Sequence, residues 1–229
     1  SLIFFVGVTA LSFLACAPQL KITSKPIDIE KNIQADLDLS NFLLPYSEKM
    51  DAQMNVKIAE SKHDFIAARP SSNLMNWTAD AVFSHQTRNK KLSQPTFCLL
   101  NFGGIRSSIG KGDIKLKDLY KVMPFDNSIV WVKLPISSLQ KISVYLESSG
   151  GEPISNVQML SGKLMLNGDQ ETDFFWVITS DYLYHGGDHM DFFQESAEVI
   201  ETKTLIRDAL IYEAKFQQVL INDTTTRIQ

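Results

Sequence analysis

The sequence predicts a single domain of α/β to α+β class, a mixed β-sheet flanked by helices. Three observations carry that expectation. Helical and strand periodicities alternate along most of the chain. A hairpin signal breaks the alternation, so the sheet cannot be purely parallel. The composition, 44% hydrophobic and 21% charged over 229 residues, is that of an ordinary globular chain and excludes disordered, collagenous and multi-span membrane classes. Lys and Arg number 22 and Asp and Glu 26, a net charge of −4, so no global pull on nucleic acid exists and no nucleic-acid partner is expected. Two cysteines, Cys16 and Cys98, make neither a disulfide framework nor a Cys-based zinc site.

The elements follow in order. Leu2 to Leu14 is uncharged and almost wholly apolar, too short for a spanning helix but of signal-peptide length. It ends in Leu14-Ala15-Cys16, which resembles a bacterial lipobox, with Phe13 where that motif has Leu. The expectation is a lipoprotein signal peptide over 1–16, acylation of Cys16 and an extracytoplasmic, lipid-anchored protein; a buried strand or helix is the rival reading. Residues 17–37 are polar and read as a tether, and 38–229 as the domain. Helical spacing begins at Asp38 (Leu39, Phe42, Leu43, Met50, Met54), with Pro45 marking a kink or boundary. Val56–Ala59 reads as a strand. Ser71 or Ser72 can cap a helix reaching Arg88, with Leu74, Trp77, Ala81 and Val82 on one face. Arg88-Asn89-Lys90-Lys91 reads as its solvated, dipole-favoured end. Phe97–Leu100 is a strand that buries an inert Cys98. Leu116–Met123 is a helix stopped by Pro124, and Ser128–Leu134 a strand. Ser137 or Ser138 caps a helix bearing Leu139, Ile142 and Leu146. Val157–Leu160 and Lys163–Leu166 flank Ser161-Gly162 as a hairpin. Phe174–Thr179 and Val199–Thr202 are strands, and Leu205–Val219 is an amphipathic helix.

Three junctions offer chemistry. Asn101-Phe102-Gly103-Gly104-Ile105-Arg106 joins backbone able to approach a ligand closely with an anion-binding guanidinium. Pro124-Phe125-Asp126-Asn127 can set an aromatic face at a loop tip. Ser180 to Asp188 supplies Tyr182, Gly186-Gly187 and a carboxylate. Each alone is a weak signal, because Gly-Gly loops are usually only turns and loop aromatics usually core lids. No Gly-x-Ser-x-Gly elbow and no phosphate-binding loop of the Walker type occurs.

Together and in this order, the junctions resemble the C-terminal domain of the 5′-nucleotidase family. Asn101 to Arg106 is similar to its Asn-Gly-Gly-Gly-Ile-Arg stretch, with Phe102 for one Gly. Pro124 to Asn127 is similar to Pro-Phe-Gly-Asn, with Asp126 for Gly. Tyr182 and Gly186-Gly187-Asp188 match an aromatic followed by Gly-Gly-Asp. Arg69 to Asn76 resembles Arg-Pro-Glu-Ser-x-Leu-Gly-Asn, with Met75 for Gly, and Ala79-Asp80-Ala81 and Arg207-Asp208-Ala209-Leu210 also fit.

The resemblance implies substrate recognition. Phe125 and Tyr182 would clamp a base, Tyr182 adding a hydroxyl to the usual Phe. Asp188 would accept ribose hydroxyls, and Asn101 and Asn127 would face the base or sugar. Arg106 would lie near the ribose and phosphate, and Arg69, one residue out of register, would be a further phosphate-side arginine. Gly103, Gly104, Gly186 and Gly187 complete the candidate set. The family's catalysis belongs to a separate metallophosphatase domain with Asp-x-His and Asn-His-Glu motifs. His63, His85, His185 and His189 form none of these. Gly187 to Asp191 spells Gly-Asp-x-x-Asp, but its Gly-Asp is already used by Gly-Gly-Asp; a private metal set of Asp181, His185, Asp188 and His189 is the lesser reading. No cofactor is expected in this chain, and divalent metals only in a partner metallophosphatase. The reading is the nucleotide-recognition half of a split 5′-nucleotidase; the alternatives are a non-catalytic nucleoside-binding lipoprotein or an interaction protein with a decayed pocket.

Overall fold

The computed structural model describes residues 24, 26, 34–167 and 172–229. The expected signal segment with Cys16, and the expected tether up to residue 33 save Ser24 and Pro26, lie outside the described residues. The chain divides into two units, Ser1–Leu43 and Leu44–Gln229, each described by itself. Helix α1 (Leu37–Met54) starts at Asp36, whose carboxylate accepts the Leu39 N–H at 3.0 Å. Pro45 lies inside this helix and not at its boundary, and the helix buries none of its residues.

In chain order follow β1 (Lys57–Ser61), α2 (Asn73–Thr87), β2 (Thr96–Leu99), β3 (Gly112–Lys115), α3 (Leu116–Val122), β4 (Ser128–Pro135), α4 (Ser138–Ser149), β5 (Ile154–Ser155), the hairpin β6 (Val157–Leu160) and β7 (Lys163–Leu166), β8 (Phe174–Ser180), α5 (Asp181–Tyr184), β9 (Glu198–Leu205) and α6 (Ile206–Gln217). Five strands form a sheet in the order β5-β2-β8-β4-β9. β2 runs parallel to β8, while β4 is antiparallel to both β8 and β9, so the sheet is mixed.

The alternation of side chains along a strand builds two cores. On β4, Ile129 and Trp131 join the cluster that holds Leu74 and Trp77 of α2, Leu119 of α3 and Leu210 of α6. Val130 and Val132 join the opposite cluster with Ile142 and Leu146 of α4 and the hairpin's Val157 and Leu164. The continuous apolar run of β4 thus reflects burial on both faces. Ser72 caps α2, its hydroxyl accepting the Met75 N–H, and Gly150 ends α4 in the left-handed region at φ 78°. Cys98 is fully buried in β2, and burial pushes its thiol well up. Strands β3 and β5 add to the expected set. β3 buries only Ile114 and pairs with β1, and β5 is two residues long. Neither carries an apolar pattern long enough to announce a strand.

This topology places the site. The loops after β2 and β8 leave adjacent parallel strands at the same end. β4 runs the other way, with Ile129 opposite Ser180, so the loop that enters β4 arrives at that same end.

Candidate functional site

Residues Asn101, Gly103, Gly104, Arg106, Phe125, Asn127, Tyr182 and Asp188 line one cavity of about 330 Å³. The three junctions that were separate in sequence therefore converge. Gly186, Gly187 and Arg69 do not line it.

Phe125 is 41% and Tyr182 45% exposed, so neither ring belongs to the core. The Arg106 guanidinium lies 6.0 Å from the Phe125 ring centroid and donates to the Gly103 carbonyl at 3.3 Å. It makes no ion pair among the described residues, which leaves its charge available to an anion.

Asp188 is held at three points. Asn101 Nδ2 donates to its Oδ2 at 2.6 Å, the Tyr182 hydroxyl donates to its Oδ1 at 2.8 Å, and the Tyr145 hydroxyl donates to its backbone carbonyl at 2.9 Å. Its backbone is left-handed (φ 52°, ψ 25°), a conformation Asp tolerates better than most residues. The hydrogen bond to Asp188, with some desolvation, raises the Tyr182 phenol above its ordinary pKa. Burial, helped by the charges of Glu152 and Asp188, pushes Tyr145 up to about 12. Gly186 and Gly187 serve as backbone. Gly186 turns the chain at φ 89°, and a Cβ on Gly187 would run into the Tyr182 ring.

Behind the cavity, side chains brace each loop. The buried Glu152 accepts the Phe102 N–H at 2.5 Å and the Arg69 guanidinium at 2.7 Å. Burial nonetheless holds its carboxyl above the usual range, the Phe102 N–H and Arg69 charge opposing. Arg69 also donates to the Gly151 carbonyl at 2.9 Å and lies 4.7 Å over the Phe102 ring. Its contacts are thus with the wall of the first loop. The second loop is held by Arg207 of α6, which pairs with the Asp126 carboxylate, reaches the carbonyls of Met123 and Phe125 at 3.3 and 3.4 Å, and covers the Tyr120 ring at 4.3 Å. The third is tied to the second through Asp181, whose carboxylate accepts from the Ser128 hydroxyl and the Tyr182 N–H, both at 2.7 Å. Tyr145, Glu152 and Arg207 were not among the sequence candidates. Only Arg207 carried a signal, as the first residue of the Arg207-Asp208-Ala209-Leu210 stretch that fits the family pattern.

Among the described residues no group of three or more His, Cys, Asp or Glu side chains is placed to hold a metal ion. The Asp181 carboxylate is engaged by the Ser128 hydroxyl and the Tyr182 N–H, and each Asp188 oxygen by one donor. The described residues do not fit a two-metal phosphatase centre, and no step below is routed through one.

Residues 57–142 match the family model described as 5′-nucleotidase, C-terminal domain. The 5′-nucleotidase of Vibrio parahaemolyticus is 30% identical over 131 residues, which is 57% of this chain and 22% of that protein. The 5′-nucleotidase of Vibrio vulnificus is 33% identical over 113 residues, 48% of this chain and 20% of that protein. The match thus spans about a fifth of the length of these curated relatives. In fold, the chain is similar to the 5′-nucleotidase precursor of Thermus thermophilus, with a TM-score of 0.67 at 24% identity, over 85% of this chain and 43% of that one. The fold and the matched segment are those of a domain found at the C-terminus of 5′-nucleotidases. Segment 57–142 is thus similar to the C-terminal domain of the 5′-nucleotidase family, and the fold agrees with that likeness.

Proposed function

We propose that this domain is the nucleotide-recognition half of a split 5′-nucleotidase, the phosphomonoester being hydrolysed by a separate metallophosphatase subunit. The observation that supports it best is the convergence of two exposed aromatic rings, one carboxylate and one unpaired guanidinium on a single cavity. Phe125 and Tyr182 face the base, where every base offers a π-face. Asp188 and Asn101 face the ribose, Asn127 the base edge, and Arg106 the phosphate side. Arg69 acts by bracing the first loop. Titration calorimetry of the chain with adenosine and AMP should show binding, while phosphate release by the chain alone stays at background with or without added divalent metal. Absence of binding overturns the recognition reading; robust, chelator-sensitive AMP turnover by the pure chain overturns the split.

The same reading puts the protein outside the inner membrane, held by lipid on Cys16. Among the described residues no helix is long and apolar enough to cross a membrane. Mass spectrometry of the membrane fraction should find Cys16 acylated, and Cys16→Ser should move the protein to the soluble fraction. A native Cys16 recovered unmodified with residues 1–15 still attached contradicts the anchor.

A further inference from the structure

We propose that the hollow toward the other end of the sheet, walled by Trp131 and Trp176, is a second ligand site, and that it takes an aromatic carboxylate. The inference is independent of the nucleoside reading. The cavity measures about 340 Å³ and shares no lining residue with the first; Lys90, Lys91, Gln94, Trp131, Trp176 and Ile200 give it its character. That volume lies within the range of small-molecule pockets. Strand register brings the rings together. Trp131 pairs with Ile200 of β9 and with Ile178 of β8, and Trp176 pairs with Lys133, one step along the same face. The loops of the first cavity meet the sheet at the Ile129–Ser180 end, so the two cavities lie toward opposite ends.

The chemistry of the lining selects the ligand. Both indole N–H groups are spent inside the protein, Trp131 on Gln86 at 2.9 Å and Trp176 on Gln94 at 3.1 Å. The rings therefore offer the cavity carbon surface, with centroids 6.3 Å apart and planes inclined at 73°. An inclined pair receives a flat ring on one face and against one edge, the arrangements that aromatic quadrupoles favour. Ile200, 48% exposed, adds an apolar wall from the edge strand β9. The polar rim is one-sided. The Thr96 and Thr202 hydroxyls donate to backbone carbonyls. Gln94 Oε1 is taken by Trp176, which leaves that amide as a donor. Lys90 and Lys91 form no ion pair among the described residues, and no Asp or Glu lines the cavity. Glu198, two positions before Ile200, is taken up by Lys133 at 3.5 Å. Two cations without a counter-charge beside apolar rings match one anionic head on one aromatic body. Lys90 Nζ, 4.3 Å from the Trp131 ring centroid, sits where the two parts meet.

The test titrates the full chain with 2-naphthoate and with 2-naphthamide, its uncharged counterpart, by calorimetry. Naphthoate should bind saturably and about 3- to 30-fold more tightly than the amide, the effect of one or two partly solvated charge contacts. Lys90→Gln/Lys91→Gln should remove that preference and leave amide binding within about twofold. Ile200→Glu sets a like charge at the mouth of the cavity without touching the lysines, and should weaken naphthoate more than the amide. It keeps the charge argument testable even where the lysine variant melts early. Phe125→Ala, in the other cavity, should leave naphthoate affinity unchanged. No saturable binding at millimolar concentration, equal affinity for acid and amide, or a preference that survives both variants overturns the proposal. Loss of naphthoate binding in Phe125→Ala puts the probe in the first cavity and overturns it equally. None of these outcomes bears on nucleoside recognition, which the adenosine titration decides separately.

Discussion

Arg88→Met is expected to lower the melting temperature by roughly 6–20 °C. Arg88 follows α2, and its Nη2 lies 2.5 Å from both carboxylate oxygens of Glu213 on α6. The Glu213 side chain is only 1% exposed, and the guanidinium also covers the Phe216 ring at 3.7 Å. Methionine keeps much of the stem's packing but strands a carboxylate in the core. Removing one partner of a buried pair costs about 3–5 kcal/mol, and a chain of this size loses about 2–4 °C per kcal/mol. The double variant Arg88→Met/Glu213→Leu should regain most of the loss, because replacing both charges with apolar groups is often neutral or better. A single variant that melts within about 2 °C of the parent, by calorimetry at neutral pH, shows that Glu213 is not dependent on Arg88.

That pair also marks a limit of sequence reading. Arg88-Asn89-Lys90-Lys91 looks like a solvated helix end. Yet Arg88 turns under α6, and Lys90 Nζ rests 4.3 Å from the Trp131 ring centroid. The partners, Glu213 and Trp131, lie 125 and 41 positions away (213 − 88 and 131 − 90), and no local pattern announces them. What was legible was whatever short-range chemistry dictates: the Ser72 cap, the Ser161-Gly162 hairpin, the stop at Pro124 and the apolar run of β4. The strand order was not legible, because it depends on which apolar faces meet.

The site followed the same division. Eight candidate residues share one cavity because the motif resemblance implies a constellation that periodicity cannot. The backbone duties of Gly186 and Gly187, and the inward commitment of Arg69 to Glu152, needed the fold. The departures from the family pattern are instructive here. Phe102 stacks beneath Arg69, Asp126 pairs with Arg207, and Met75 packs in the core at 1% exposure. Tyr182 bonds Asp188. Each substituted side chain has found a partner, and three of them brace the cavity, which weighs against a decayed pocket.

Phe125→Ala is expected to weaken adenosine binding by about 5- to 150-fold while leaving the melting temperature close to the parent's. The loop that carries Phe125 is held by groups other than its ring. Arg207 takes the carbonyls of Met123 and Phe125 together with the Asp126 carboxylate, and the Asn127 carbonyl accepts the Ile206 N–H at 2.9 Å. The ring itself is 41% exposed and faces the cavity. Truncating it therefore removes a stacking surface without emptying a core. One face of a base sandwich contributes about 1–3 kcal/mol, which is the stated loss in affinity. Burial as a core residue predicts the opposite pattern, a destabilisation of about 3–5 kcal/mol with an early melt. Phe125→Trp, which enlarges the face at the same loop position, should retain binding within a fewfold. Calorimetric titration and thermal melting of the two variants decide the matter. An early melt, or adenosine affinity unchanged by Phe125→Ala, removes Phe125 from the clamp and with it the stacking half of the recognition model.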